Sequence, residues 1–309
     1  MNAIPEISVE DGVLVRRGSH HVDVGDIDQN RNLKIRMFIG PGLRPVFEDM
    51  QSHLRFRQMG IEEGVAPGQY YQEFEAFPRP RGYDETLSTE LRVSLQAAPV
   101  ESRGVVAERF IIETRGTLRS RVVTGDAPAV GFEPPLGELA VAGRSRVIHM
   151  LTRPAGSPGE RAVTEIPSQL AFLTPQPFEG DFPTLEILSR VPAGYVPAAP
   201  GDSEPVRGVW SIANSDIFQH VHAREYLYAM ENRVGALAAD AGLPLADLSP
   251  TRAQVIFRRP SLVGDRYELR CRLYTHDNAV LALGSFHTVV DGIADDRPGC
   301  YLRFQSERR

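Results

Sequence analysis

Apolar residues recur at spacings of three and four across residues 223–241: Tyr226, Leu227, Met230, Val234, Leu237, Ala238 and Ala241. That period predicts an amphipathic helix with one buried stripe. Gly242 and Pro244 supply its stop. A similar stripe of Val46, Phe47, Met50, Leu54 and Met59 predicts a helix over 44–59, with Gly40-Pro41-Gly42 delaying its start. After each helix the period changes. Val255, Phe257, Leu269, Cys271 and Leu273 alternate with polar residues, as in strands with one covered face. Strands are expected at 252–259, 266–275, 279–290 and 299–304 in the second half. In the first they are expected at 70–77, 86–96 and 105–114.

Between these patterned ends the chain turns proline-rich. Residues 125–205 hold 13 of the 24 prolines, and only 146–152 and 185–191 read as short strands there. The pattern predicts a module over 1–124, a Pro-rich connection over 125–205 and a second module over 206–309. The ends also share a short motif. Asp26-Ile27-Asp28-Gln29-Asn30-Arg31-Asn32 parallels Asp216-Ile217-Phe218-Gln219-His220-Val221-His222 at an offset of 190. Each copy follows an extended stretch, 19–24 or 208–213, and precedes a helix and then strands. That order predicts a repeated unit. A long helix on one antiparallel sheet, twice over, is an α+β arrangement.

Composition narrows the function classes. The 309 residues carry 34 basic against 40 acidic groups, a net charge of −6, with no basic block for phosphate contacts. Nucleic acid is therefore not an expected partner. No apolar run approaches the roughly 20 residues that span a bilayer, and the N-terminus lacks the features of a secretory signal. Cys271 and Cys300 have no metal or redox spacing. A cytoplasmic protein with reduced thiols is expected. Lys34 is the only lysine, a bias that fits a GC-rich bacterial gene.

Chemistry concentrates in the second motif. Asp216 and His220 lie just before a helix, whose N-terminus offers unpaired N–H groups and a positive dipole. A substrate carbonyl there would find donors for its oxyanion. The carboxylate would activate water or attack, and the imidazole would move a proton. Equally, Asp216 would serve as a turn or helix cap and His220 as a satisfied half-buried histidine. His222 reads as a cap neighbour, or with His220, His287 and Glu225 as an incomplete metal set; no metal is expected. Arg258-Arg259 and the Arg79-Pro80-Arg81 run would suit phosphate groups, or remain solvated. Tyr70, Tyr71 and Phe74 read as sheet core or as the lining of an apolar tunnel. The Asp26–Asn32 set reads as a second pocket or a surface turn.

The element order and the stretch Asp216-x-Phe218-Gln219-His220-Val221-His222-Ala223-Arg224-Glu225-Tyr226 resemble the acyl-carrier-protein thioesterases, whose motif reads Asp-x-Asn-Gln-His-Val-Asn-Asn-x-x-Tyr. The resemblance implies a double hotdog, two helix-on-sheet modules fused as a pseudo-dimer, as a monomer or a homodimer. It implies hydrolysis of an acyl-carrier-protein or acyl-coenzyme A thioester in bacterial lipid or polyketide metabolism, without a cofactor. Asp216 and His220 would be catalytic, with Phe218, Gln219, His222, Tyr226, Arg258 and Arg259 about the substrate. Two departures stand out: Phe218 replaces the family's Asn, and its strand Glu falls at or near Pro260. A second resemblance, to fused double-hotdog dehydratases, pairs His21 with Asp216 for loss of water from a β-hydroxyacyl thioester. Acyl transfer in the same pocket, or an inactive acyl-binding scaffold, also fits.

Overall fold

The computed structural model describes residues 6–22, 26–28, 32–38, 53–79, 85–102, 105–123, 136–155, 161–199, 203–215 and 220–308. Fourteen strands form one sheet. They are β1 (Glu6–Glu10), β2 (Val13–Val22), β3 (Ala66–Ala76), β4 (Glu85–Ser102), β5 (Val105–Val123), β6 (Leu136–Thr152), β7 (Gln176–Pro177), β8 (Val196–Pro197), β9 (Val206–Val209), β10 (Leu248–Phe257), β11 (Arg266–His276), β12 (Ala279–Val290), β13 (Ile293–Ala294) and β14 (Cys300–Arg308). The α-helices are α1 (Phe56–Glu63), α2 (Leu185–Ser189) and α3 (Ala223–Asp240). None is long and apolar enough to cross a membrane among the described residues.

The strand order carries the architecture. One end reads β2-β4-β5-β6-β3 and continues into β10-β14-β12-β11, with β9 on β11. The second run mirrors the first. The two meet where β3 pairs antiparallel with β10, from Arg252 opposite Glu75 to Ile256 opposite Tyr71. That seam consumes an edge from each half, and an unpaired edge is a liability. The inner face carries α3. Its Tyr226, Leu227, Met230, Val234 and Ala238 are buried, as the sequence stripe predicts. Each such large apolar side chain contributes about 2 kcal/mol on full burial. Gly284 on β12 lets the helix approach; a Cβ there would stand 2.6 Å from Met230 Sδ. Of the helix expected over 44–59, residues 44–52 lie outside the described residues; the described helix continues to Glu63.

Two features of the centre differ from expectation. Residues 146–152 are the end of a 17-residue strand, β6, inside the segment read as a connection. Its burial alternates between two covered faces, which hides the period of two. Residues 185–191, expected as a strand, begin as the helix α2. Thr184 caps it, its side chain accepting from the Ile187 N–H at 3.3 Å. Val163, Leu170 and Leu173 join the main core, and residues 178–188 form a strap over the outer face. Phe178, Phe182, Leu185 and Leu188 pack there on Tyr71, Ala98, Ile111, Ile148 and Ile256. Prolines suit this role because the strap needs few ladder hydrogen bonds.

The halves superimpose on their pairings. The bridge Ile27–Leu33 in the first corresponds to Ser215–Val221 in the second, an offset of 188 at both residues. The strands agree. Aligning the inner-face glycines Gly116 and Gly284 matches Leu91 with Cys271 and Thr89 with Leu269. Thr89 then pairs with Gly18 as Leu269 pairs with Val206, again an offset of 188. The motif offset of 190 is therefore two residues out of register: Asn32 is the counterpart of His220, and the same offset of 188 makes Asp28, not Asp26, the sequence counterpart of Asp216. The repeated Asp-Ile pair misled because Asp26 and Asp28 both offer a match.

Candidate functional site

The segment between β9 and α3 is stitched to the turn between β10 and β11. Val221 N–H donates to Ser261 O at 2.8 Å, and His220 and Leu262 form an antiparallel bridge. Ser215 and Val221 bridge each other, closing the loop that carries Asp216, Phe218 and Gln219. Those three residues lie outside the described residues. His220 is exposed at the mouth of that loop.

His222 caps α3. Its Nδ1 accepts from the Arg224 N–H at 3.3 Å, while its own N–H donates to Asn214 O at 2.8 Å. Glu225 is tied on both oxygens, by Asn214 Nδ2 at 2.8 Å and Arg224 Nε at 2.9 Å. It stabilises the first turn rather than serving as a free base. Tyr226 is buried, and its hydroxyl accepts from the Ser261 N–H at 3.3 Å. Burial raises its pKa, so it stays a phenol.

Behind the loop sits Trp210, at the end of β9 and 3% exposed. Its ring stacks on Tyr267 at 4.2 Å and meets Tyr226 at 5.0 Å and Phe286 at 5.6 Å. Asp265 O accepts from the Trp210 N–H at 3.0 Å. Gly208 leaves room for Tyr267, whose ring lies 2.6 Å from where a Cβ would be. The sequence reading missed Trp210, Asn214, Ser261 and Asp265. The chain's single tryptophan, beside the Asp-led motif, was the available signal.

The other candidates are spread out. Strand alternation puts His20 on the inner face of β2, its Nε2 3.6 Å from Asp26 Oδ2. His21 pairs with Thr86 on the outer face, beside Ser19 and Arg17, and is exposed. His287 is also on an outer face, its Nδ1 2.6 Å from Asp295 O and its Nε2 2.9 Å from Ser285 Oγ. Among the described residues no three His, Cys, Asp or Glu side chains form a metal cluster. Arg259 pairs with Asp295 at 2.8 Å, whereas Arg258 is exposed close to Tyr70. Pro260 is exposed just beyond the end of β10. Phe74 faces the inner core; Tyr71 and Tyr70 face the strap, Tyr70 stacking on Phe182 at 5.2 Å. Arg79 is exposed, and Pro80 and Arg81 lie outside the described residues.

The described ends of the first-half loop are tied by polar contacts. Asp28 Oδ1 accepts from the Asn32 N–H at 2.9 Å, and Oδ2 accepts from Asn32 Nδ2 at 3.2 Å. Asn32 Nδ2 also donates to Ser249 Oγ of β10 at 3.2 Å.

Solved structures of thioesterases match this arrangement over nearly the whole chain. A protein from Lactobacillus plantarum assigned as an oleoyl thioesterase is 12% identical, with a TM-score of 0.62 over 97% of this chain and 98% of its own. An acyl-ACP thioesterase from Bacteroides thetaiotaomicron is 12% identical, with a TM-score of 0.60 over 97% and 100%. The 12:0-ACP thioesterase from Umbellularia californica is 9% identical, with a TM-score of 0.57 over 96% and 98%. The chain has their hotdog-type fold. No protein-family model matches it, and no curated protein matches it in sequence.

Proposed function

We propose that the chain is a double hotdog that hydrolyses an acyl thioester held by an acyl carrier protein or coenzyme A. The modules would run through β6 and from β9, with the strap between them. The reading rests on one observation above the rest: the Ser215–Val221 bridge just before α3, in a fold shared with thioesterases from end to end.

At the offset of 188 the sequence counterpart of Asp216 is Asp28, whose carboxylate holds Asn32. By that equivalence Asp216 acts beside His220. The Asp216 carboxylate accepts a proton from water as the water oxygen bonds to the thioester carbonyl carbon. Helix N–H groups stabilise the oxyanion. The tetrahedral species then expels the thiolate, breaking the C–S bond, and His220 supplies its proton. Phe218, at the position of the family's Asn, and Gln219 and Tyr226 shape the pocket. Exposed Arg258 suits a phosphate on the carrier arm. The buried thiols are no alternative nucleophile. Burial raises the Cys271 pKa to about 12 and that of Cys300 well above the ordinary value, so both stay protonated.

Dehydration is disfavoured because His21 faces away from the inner side of the sheet. The deciding experiment measures thiol release from acyl-coenzyme A and acyl-carrier-protein panels. Loss of release in Asp216→Ala but not His21→Ala is the expected result. Release from no substrate at all would overturn hydrolysis and favour acyl transfer, read by mass spectrometry, or an acyl-binding scaffold.

A further inference from the structure

The two inner faces are built alike but made of different residues. Alignment on Gly116 and Gly284 matches four inner-face positions across β3–β6 with four across β10–β14. Thr89 corresponds to Leu269, Thr114 to Ala282, Ser145 to Leu302 and Gln72 to Ala253. The second-half residues are apolar and buried in the main core. The first-half residues are all polar and just as buried: Thr89 is 2% exposed, Thr114 4%, Ser145 4% and Gln72 7%.

Burying a polar group without a partner costs about 1–3 kcal/mol. Thr89 Oγ1, Ser145 Oγ and Gln72 Oε1 are buried and have no hydrogen-bond partner among the described residues. Three such atoms on one face, where the sister module carries Leu, Leu and Ala, are too costly to be packing residues alone. With Thr114 of β5 between them, they lie in order across four neighbouring strands, β4, β5, β6 and β3. Three strand spacings make a track of about 14 Å. Gln69 and His149 continue it on β3 and β6, half-buried, with Gln69 Nε2 and His149 Nδ1 likewise unpartnered. Burial lowers the His149 pKa to about 4, so at neutral pH its ring is an uncharged donor and acceptor. The track itself thus offers hydroxyl, amide and imidazole groups, with the buried Arg16 guanidinium of β2 on the same face beside it.

We propose that the inner face of the first module binds an oxygen-bearing acyl chain, one with hydroxyl or keto groups along its length, through Thr89, Ser145 and Gln72. This rests on the thioester reading and names its substrate class. A plain saturated chain would leave these groups unpaired, and a site built to hydrogen-bond a hydroxyl discriminates strongly against the analogue without it.

The test compares non-hydrolysable pantetheine amides: a saturated medium-chain acyl group, and the same chain bearing one hydroxyl at successive carbons. Binding is measured by calorimetry on the full chain. The expected result is about tenfold tighter binding of at least one hydroxylated amide, one hydrogen bond's worth, with the preference erased in Gln72→Leu/Ser145→Ala. Thr89→Val, a near-isosteric change, gives the same reading if the double variant fails to fold. Equal binding of all amides, no binding, or a preference unchanged in the variants overturns the proposal. Thiol release from the saturated thioester, run alongside, reports separately on hydrolysis. Its presence with no hydroxyl preference sinks the track and keeps the hydrolase.

Discussion

Asn32 of the first module donates to Ser249 of the second through side chains that are 3% and 1% exposed. The bond joins a loop to the strand beyond the seam, and it occupies the register position that His220 holds in the other half. Where one copy of the loop presents an exposed histidine, the other has turned the same position into a clasp. Asn32→Leu removes the clasp and leaves the Asp28 carboxylate with fewer donors. The expected cost is about 1–3 kcal/mol, read as a shift in urea midpoint with unchanged slope. Ser249→Ala should cost less, because Asn32 keeps its bonds to Asp28.

The proposed site separates cleanly by mutation. Asp216→Asn should lower kcat by about a hundredfold or more, since it removes a general base and keeps the shape. His21→Ala should leave kcat within error. His222→Ala should act on stability, by about 1 kcal/mol, through loss of the α3 cap. Steady-state kinetics beside thermal melts would check all three. A His222 variant with full stability and no activity would contradict the cap assignment.

Histidine 149 makes stability depend on pH. Its pKa is lowered by burial to about 4 in the fold, against 6.5 for the free side chain. Between those values the unfolded chain binds more protons, so stability falls as pH drops from about 6.5 toward 4. Above 6.5 the residue contributes no slope. His149→Leu should flatten this part of the curve, measured as Tm against pH. An unchanged slope would show that His149 takes up its proton without unfolding.

Both thiols should be silent in the native state. Cys271 and Cys300 are buried, and burial raises their pKa values. A disulfide reagent at neutral pH should titrate neither thiol until denaturant is added, and both afterwards. Fast native labelling would restore a thiolate nucleophile to consideration.

Much of the fold was legible because each element has a single covered face. The stripe from Tyr226 to Ala238 and the alternation from Leu269 to Leu273 both report burial on one side. Strand β6 was only half legible. Ile148 and Met150 face the strap while Leu151 lies in the core and Val147 is buried as well, so the period of two disappears. Residues 185–191 failed for a different reason: their run of apolar residues packs as one helical turn capped by Thr184. At the site, sequence pointed to the right loop but could not find its anchors. Ser261 and Asp265 contribute mostly backbone groups, which no residue pattern reveals. His21 beside His20 shows the limit of spacing motifs, because neighbouring strand residues face opposite ways.

The β3–β10 seam has a mechanical meaning. Five opposed residue pairs run across the waist of the molecule, and one apolar core continues beneath them. Such a joint has no hinge. The halves would not part like a clamshell to admit a long substrate, and heating should melt them together rather than in turn. Any opening must come from the chain segments draped over the sheet, which leaves the waist as the rigid frame against which they move.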